Sequence, residues 1–507
     1  MLNRSSRSTN DIAIYISLIG LGVIGIFIIL YATNWGIGLY GSDSFSYISV
    51  ARSIAKGYGF YFPANDLGYS PLTHFPPMYS IALSLFERIG RDAIIGARYF
   101  NAFLFGFSIF LFGLLIKRTT NSFLFVVFGS LLFSISSIFT ELYSLAMSEA
   151  LFLTLTLLSF LLLNEYILRN KWFLLVITSV ILGLAALTRY VGVVNIFTGI
   201  VVVLVIDTKS RFSRKVFSTL ILMIISTTPI FLWTIRNFRL TTTINNRGFD
   251  FHPLVLKNYL NAFYTFVKWY LPEKVVIGYE KEIVVVTLGL LVAVITIVIY
   301  TNRHKVIQFA REPGTSNIRI QPLNLIYFTY AISYLVAIYI SKSFLDSGTG
   351  MTNRIFSPVL LISLLLIINL LYNIWKSKVR ILRGLVILIC IYLILFSVNN
   401  SLQSLPEIHD NGMGLGRKAL HNSQSLQLLS ELSRTMPVYN NNPYAVYFYT
   451  GRVGFSLNSF SSEANQESDA AIAIFGSTDE YLLQDRLLKN IELLNSDNIA
   501  SVYLFKP

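Results

Sequence analysis

Long uninterrupted apolar runs dominate the chain, near residues 12–33, 94–116, 122–140, 150–167, 216–235, 283–300, 323–341, 355–375 and 383–398. A hydrocarbon core of ~30 Å takes about 20 apolar residues of helix, so each run predicts one membrane span. The stretch 172–206 is too long for one span and is divided by Thr188-Arg189-Tyr190, which predicts a tight helical pair turning at one membrane face. The sum is eleven helices. From Ser401 the pattern changes to short apolar runs among Asn, Ser and charged residues. Ala470 to Phe475 and Ala500 to Phe505 read as buried strands, and Glu480 to Leu494 places Leu482, Leu483, Leu487, Leu488 and Ile491 at helical spacing. The pattern predicts a polytopic α-helical membrane domain over 1–400 and a small soluble α/β domain over 401–507.

Composition agrees. Of 507 residues, 54% are hydrophobic and 13% charged, where a soluble domain carries about 25% charged residues. The net charge of +14 would suggest nucleic acid if it were spread over a soluble surface. Here it follows topology. With the N-terminus inside, the cytoplasmic segments hold eighteen Lys and Arg against only Asp11, Glu165, Asp207 and Glu312. That is the bias expected of inside loops, so a nucleic-acid partner is set aside. The opposite, extracytoplasmic face receives two long loops, 34–93 and 236–282, and the C-terminal domain. The first apolar run is longer than a signal-peptide core and no small-residue cleavage site follows it, which predicts an uncleaved anchor in the cell membrane. The single cysteine, Cys390, lies in an apolar run and excludes structural disulfides and cysteine metal clusters.

Candidate chemistry gathers on the outer face. Ser42 or Asp43 can cap a short amphipathic helix carrying Phe45, Ile48, Ala51, Arg52 and Ala55, ended by Gly57-Tyr58-Gly59 and expected to lie on the membrane surface. Asp43 there is either a cap or a carboxylate base that accepts a proton from a hydroxyl. His74 precedes the rigid Pro76-Pro77 turn, where it can donate to a phosphate, shuttle a proton or help bind a metal. Arg98 and Asn101 stand one turn apart as the chain re-enters lipid. Glu149 heads an apolar span, where the helix dipole stabilises it, but where a charge near lipid also marks a candidate site. Arg189, Arg236 and Arg354 fall at the same face. A guanidinium fork suits a phosphate leaving group. The set equips displacement at a carbon that bears a phosphate ester held at the interface. Gly412, Gly414 and Gly416 follow no strand and lack the spacing of a dinucleotide loop. His74 and His252 share the outer face, but two loop histidines make no metal set; no cofactor is required and a divalent cation is unsupported.

These motifs resemble the GT-C membrane glycosyltransferases, in the protein O-mannosyltransferase and aminoarabinose-transferase branch. The resemblance rests on Asp43-Ser44-Phe45-Ser46-Tyr47, Thr73-His74-Phe75-Pro76-Pro77-Met78-Tyr79, Gly96-Ala97-Arg98-Tyr99-Phe100-Asn101 and Ser148-Glu149-Ala150-Leu151. Ala186-Leu187-Thr188-Arg189, Trp233-Thr234-Ile235-Arg236-Asn237 and Asn353-Arg354-Ile355-Phe356 continue it in family order, over about residues 10–400. The resemblance implies an inverting transfer of a sugar from a polyprenyl-phosphate donor to an acceptor hydroxyl of a protein, lipid or glycan. Asp43 matches the catalytic carboxylate, Glu149 the second acidic residue with Glu141 as alternative, and Arg354 an arginine near the lipid phosphate. Some members carry two adjacent acidic residues at the first motif. Ser44 follows Asp43 here, which weighs against a metal-dependent mechanism of the oligosaccharyltransferase kind. The rival readings are a lipid-carrier flippase or transporter, and an inactive relative acting as an assembly module.

Overall fold

The computed structural model describes residues 2–65, 68–206, 211–245, 247–279, 283, 321–345, 348, 350–460, 469–476 and 491–506. The apolar runs form helices: α1 (Leu2–Ala32), α4 (Ala93–Thr120), α5 (Phe123–Ser134), α6 (Ser137–Tyr143), α7 (Glu149–Arg169), α8 (Trp172–Thr188), α9 (Val193–Ile206) and α10 (Phe212–Thr241). Pro322–Phe344, Asn353–Trp375 and Arg380–Asn411 follow. Between α1 and α4 lie α2 (Gly41–Ala55), an antiparallel hairpin of β1 (Tyr61–Asn65) and β2 (Gly68–Pro71), and α3 (Met78–Arg88).

Among the described residues, seven helices are long and apolar enough to cross a membrane. An eighth is counted if α5 and α6, bent by 57°, make one broken span. The pair α8 and α9 is shorter, and it breaks at Arg189 as the sequence predicts. The run 283–300 lies outside the described residues, apart from Ile283, so the expected count of eleven is not reached among them. The protein is a multi-pass membrane protein. Its spans differ in enclosure: 78% of the apolar window of α7 is buried, against 11% for Arg380–Asn411. Glu149 therefore heads the most enclosed of the described spans rather than one bathed in lipid.

The chain divides into two compact units. One comprises 1–26, 104–140 and 151–403; the other comprises 27–103, 141–150 and 404–507. In the first, α1 meets α4 at a glycine crossing, where a Cβ on Gly106 would stand 2.4 Å from the Gly22 carbonyl oxygen. In the second, the C-terminal segment forms a five-stranded sheet in the order β4-β3-β5-β7-β6, with β3 at Val438–Asn440, β4 at Phe455–Ser456, β5 at Ala470–Phe475, β6 at Ile491–Ser496 and β7 at Ala500–Phe505. β4, β3 and β5 run parallel, and β7 and β6 add antiparallel. β5 is buried on both faces, packing Ala471 and Ala473 against Leu426, Leu429 and Val446, and Ile472 and Ile474 against Tyr439 and Phe460.

Three expectations need correction. The helix expected to reach Leu494 gives way to a strand from Ile491 onward, paired with β7 through Glu492↔Leu504 and Leu493↔Tyr503. An open strand edge satisfies backbone groups in a way that leucine spacing cannot foresee; residues 480–490 lie outside the described residues. α2 is not a surface helix with one buried stripe, because Ser44 to Ala51 are all buried. It also starts earlier than expected, with Tyr40 at the N-cap and Asp43 inside the first turn.

Candidate active site

The early start of α2 has a side-chain cause. Ser44 Oγ accepts from the Tyr40 backbone N–H at 2.7 Å and donates to the Ala146 carbonyl at 3.0 Å. The segment leading into α2 is stitched to the segment leading into α7 by Gly38 N–H to the Ser144 carbonyl and Ala146 N–H to the Gly38 carbonyl, both 2.8 Å. On its other side, Leu415 N–H donates to the Leu39 carbonyl at 2.7 Å. This explains the glycine cluster at 412–416. Gly414 sits at φ +56, and a Cβ there would come within 2.1 Å of the Leu39 carbonyl oxygen, so the chain needs glycine to lie backbone against backbone.

Two carboxylates are thus carried on helix starts held by a common set of hydrogen bonds. Asp43 is half-buried in the first turn of α2, and Glu149, 2% exposed, opens α7. Both occupy the end of a helix where the dipole favours negative charge. Tyr47, one turn beyond Asp43, donates its hydroxyl to Ser148 Oγ at 2.9 Å, beside Glu149. Its ring packs on Phe75 and Tyr79, each with centroids 5.2 Å away, and Phe75 meets the His74 ring at 4.7 Å. Tyr79 donates to Asn101 Oδ1 at 3.0 Å, and Asn101 Nδ2 donates to the Leu145 carbonyl at 2.6 Å. Burial holds the Tyr79 phenol well above its ordinary pKa. The charges of Tyr47 and Glu149 push the same way, against the opposing hydrogen bond to Asn101. Tyr79 is therefore a neutral donor.

The structure brings the Asp43, His74 and Glu149 motifs into one cluster through Tyr47, Tyr79, Ser148 and Asn101. The linking roles of Tyr47, Tyr79 and Ser148 carry no separate signal in the sequence beyond their places inside the motifs. Arg98 is engaged elsewhere in the same unit. Its Nε donates to Thr33 Oγ1 at 3.1 Å and its Nη2 to the Leu30 carbonyl at 3.0 Å, capping the C-terminal end of α1. Arg52, unassigned from sequence, pairs with Asp92 at 2.6 Å and Glu87 at 3.7 Å, tying α2 to α3 and α4. Glu141 is exposed on α6.

The remaining arginines belong to the other unit. Arg189 stands extended at the C-cap of α8. The next residue, Tyr190, accepts on its hydroxyl from Trp233 Nε1 and Asn237 Nδ2, both at 3.2 Å. Arg236 lies over the Trp233 ring at 4.6 Å and donates to Asn237 Oδ1 at 2.9 Å. The end of α10 therefore holds the Arg236 guanidinium on an aromatic cluster that Tyr190, the residue after Arg189, helps to build. Arg354 is half-buried in the first turn of Asn353–Trp375, and the preceding Asn353 Oδ1 accepts from Trp269 Nε1 at 2.9 Å. Among the described residues, no three His, Cys, Asp or Glu side chains group as metal ligands.

Comparisons with known proteins bear on this arrangement. The model of the dolichyl-phosphate-mannose-protein mannosyltransferase family matches residues 67–241, a segment that holds His74, Arg98, Glu149, Arg189 and Arg236 but not Asp43. No curated protein matches the chain. Among solved structures, the apo crystal structure of ArnT from Cupriavidus metallidurans matches with a TM-score of 0.58 at 13% identity, over 96% of this chain and 97% of that one. The structure of the same protein bound to undecaprenyl phosphate matches with the same values. The Saccharomyces cerevisiae protein O-mannosyltransferase Pmt1-Pmt2 complex bound to the sugar donor overlaps less, with a TM-score of 0.35 at 10% identity over 48% of this chain and 34% of that one. The chain has the fold of ArnT, and coverage of 96% takes in the C-terminal sheet as well as the membrane helices.

Proposed function

We propose that this GT-C-fold protein is an inverting glycosyltransferase. It moves a sugar from a polyprenyl-phosphate carrier to an acceptor hydroxyl on the extracytoplasmic side. The observation that supports this most is the joining of the Asp43 and Glu149 helix starts through Ser44, Tyr47 and Ser148, inside a fold shared with a protein solved with undecaprenyl phosphate. Asp43, the more accessible carboxylate, takes the acceptor proton as the hydroxyl oxygen attacks the anomeric carbon. The bond from that carbon to the carrier phosphate breaks on the opposite face, and the polyprenyl phosphate leaves as an anion. From their places in the motif series, not from their position relative to Asp43, Arg354 with Arg189 and Arg236 is assigned to that phosphate, which a guanidinium fork suits. His74 provides a further donor beside the Asp43 helix. No step calls on a metal ion.

A transport reading finds less support. Carriers place charges near the middle of spans, whereas Glu149, Arg98, Arg236 and Arg354 stand within two turns of a helix end. The test is Asp43→Asn in purified protein supplied with a polyprenyl-phosphate-linked sugar. A positioned base contributes ~10²–10⁴-fold, so transfer should fall by at least about 100-fold while the protein stays folded in the membrane. Turnover near the wild-type rate would refute the assignment.

A further inference from the structure

A cavity of about 450 Å³ opens within the second unit, between the β1 strand of the first long loop and the C-terminal sheet. Phe45, Phe62 and Tyr444 furnish aromatic surface, and Asn440, Ser456 and Asn458 furnish polar groups. Among the described residues, none that lines it carries a charge. Phe45 is two residues beyond Asp43, so one wall of the cavity belongs to the helix that bears the proposed base. Its ring lies 5.9 Å from Phe62 and 5.3 Å from Tyr444.

Asn440 is 1% exposed, and its Nδ2 donates to the Val453 and Phe455 carbonyls at 3.2 and 3.4 Å. Those two bonds fix the amide orientation. Among the described residues, Asn440 Oδ1 then has no hydrogen-bond donor. That oxygen is sealed from the cavity, and the groups a ligand can reach are those of Ser456 and Asn458, a hydroxyl and an amide that suit a partner which both donates and accepts. Aromatic rings beside such groups suit a molecule with apolar C–H faces and hydroxyl edges. The uncharged lining among the described residues suits a neutral ligand better than a phosphate or carboxylate. The volume falls in the ~300–1,000 Å³ range of small-molecule sites.

We propose that this cavity binds a neutral sugar unit, and that the occupant is part of the acceptor. Its description as acceptor rests on the transferase reading; the binding itself does not. The experiment uses the full chain in lipid nanodiscs, free of sugar-headed detergent, with mannobiose as the neutral probe and glucose 1-phosphate and a serine-rich peptide as comparators. Saturation-transfer NMR and calorimetric titration are the readouts. Mannobiose should bind in preference to both comparators. Tyr444→Ala should weaken it by up to roughly tenfold, the upper reach of one aromatic contact. Ser456→Trp, at an exposed position on the rim, should abolish binding while leaving the thermal midpoint unchanged. Asp43→Asn should bind mannobiose as the wild type does. Absence of mannobiose binding, preference for the phosphate or the peptide, or undiminished binding in Ser456→Trp would each overturn the proposal. Retained transfer in Asp43→Asn would instead strike at the catalytic reading and leave the cavity's ligand in place.

Discussion

Asn101 offers the sharpest test of how the site is held together. It is 0% exposed and bridges Tyr79 to the segment that precedes Glu149. In Asn101→Leu, the Tyr79 hydroxyl loses its acceptor inside the protein, which costs about 1–3 kcal/mol. The Leu145 carbonyl loses less, because it still accepts from Met147 N–H at 2.8 Å; forfeiting one of two bonds costs about 0.5–1.5 kcal/mol. The side chains are similar in size, so the expected total is about 2–4 kcal/mol. Tyr79→Phe alone strands Asn101 Oδ1 and costs about 1–3 kcal/mol. In the double variant neither group is stranded, so the pair should be less damaging than the sum of the singles by about 1–2 kcal/mol. Equilibrium unfolding of the detergent-solubilised protein by SDS titration measures all four corners of this cycle. The pH–rate profile of transfer in Tyr79→Phe is a second readout. Burial raises the phenol's pKa, so Tyr79 stays neutral across the working range and its removal should leave the profile's limbs where they are. An Asn101→Leu variant within 0.5 kcal/mol of wild type, or strict additivity, would refute the bridge as a structural element.

Other outcomes follow from local geometry. Gly106→Val should lower the thermal midpoint, by an overpacking cost of about 1–3 kcal/mol, because its side chain would meet the Gly22 backbone. In the C-terminal sheet domain, desolvation raises the pKa of Asp497, but hydrogen bonds from Ala500 N–H, Ser423 Oγ, Ile499 N–H and Ser425 N–H outweigh it and bring the value to about 2. A depressed carboxylate pKa stabilises the fold above its unfolded value and is lost as pH falls from about 4 through 2. Asp497→Ala should therefore cost about 1 kcal/mol at neutral pH, after allowance for solvent screening, and the deficit should close near pH 2 in acid-unfolding titrations. Transfer should persist in EDTA; its abolition with restoration by a divalent cation would bring a metal into the mechanism.

Much of the membrane architecture was legible because a bilayer leaves few options: an apolar run of sufficient length must be a helix with its backbone groups paired. The break at Thr188-Arg189-Tyr190 and the stop at Gly57-Tyr58-Gly59 were legible for the same local reason, since charge and glycine interrupt a helix visibly. The onset of α2 was not. It depends on Ser44 reaching both Tyr40 and the Ala146 carbonyl, a bond across 102 residues that no local pattern contains. The glycines at 412–416 could be read only as lacking a dinucleotide spacing, because their partner, the chain at Ile37 to Leu39, is far away in sequence. β6 was misread from leucine spacing because its pairing edge is supplied by a later strand. Arg98 has the composition of a ligand-binding residue and the contacts of a helix cap. Only contacts separate the two.

The two acidic residues named from sequence are not equivalent, and the difference follows from where each helix lies. Asp43 is half-buried in a loop helix, whereas Glu149 is 2% exposed at the head of the most enclosed of the described spans. A general base must reach the hydroxyl it deprotonates, which the more accessible carboxylate can do. A carboxylate enclosed in low-dielectric surroundings acts more strongly on neighbouring charges and dipoles than on solvent-borne substrates. Tyr47 couples the two, since it lies one turn from Asp43 and donates to the serine adjoining Glu149. In the proposed mechanism, environment divides two chemically similar acids between separate tasks, with Asp43 handling the proton and Glu149 fixing the field and the position of the helix that carries it.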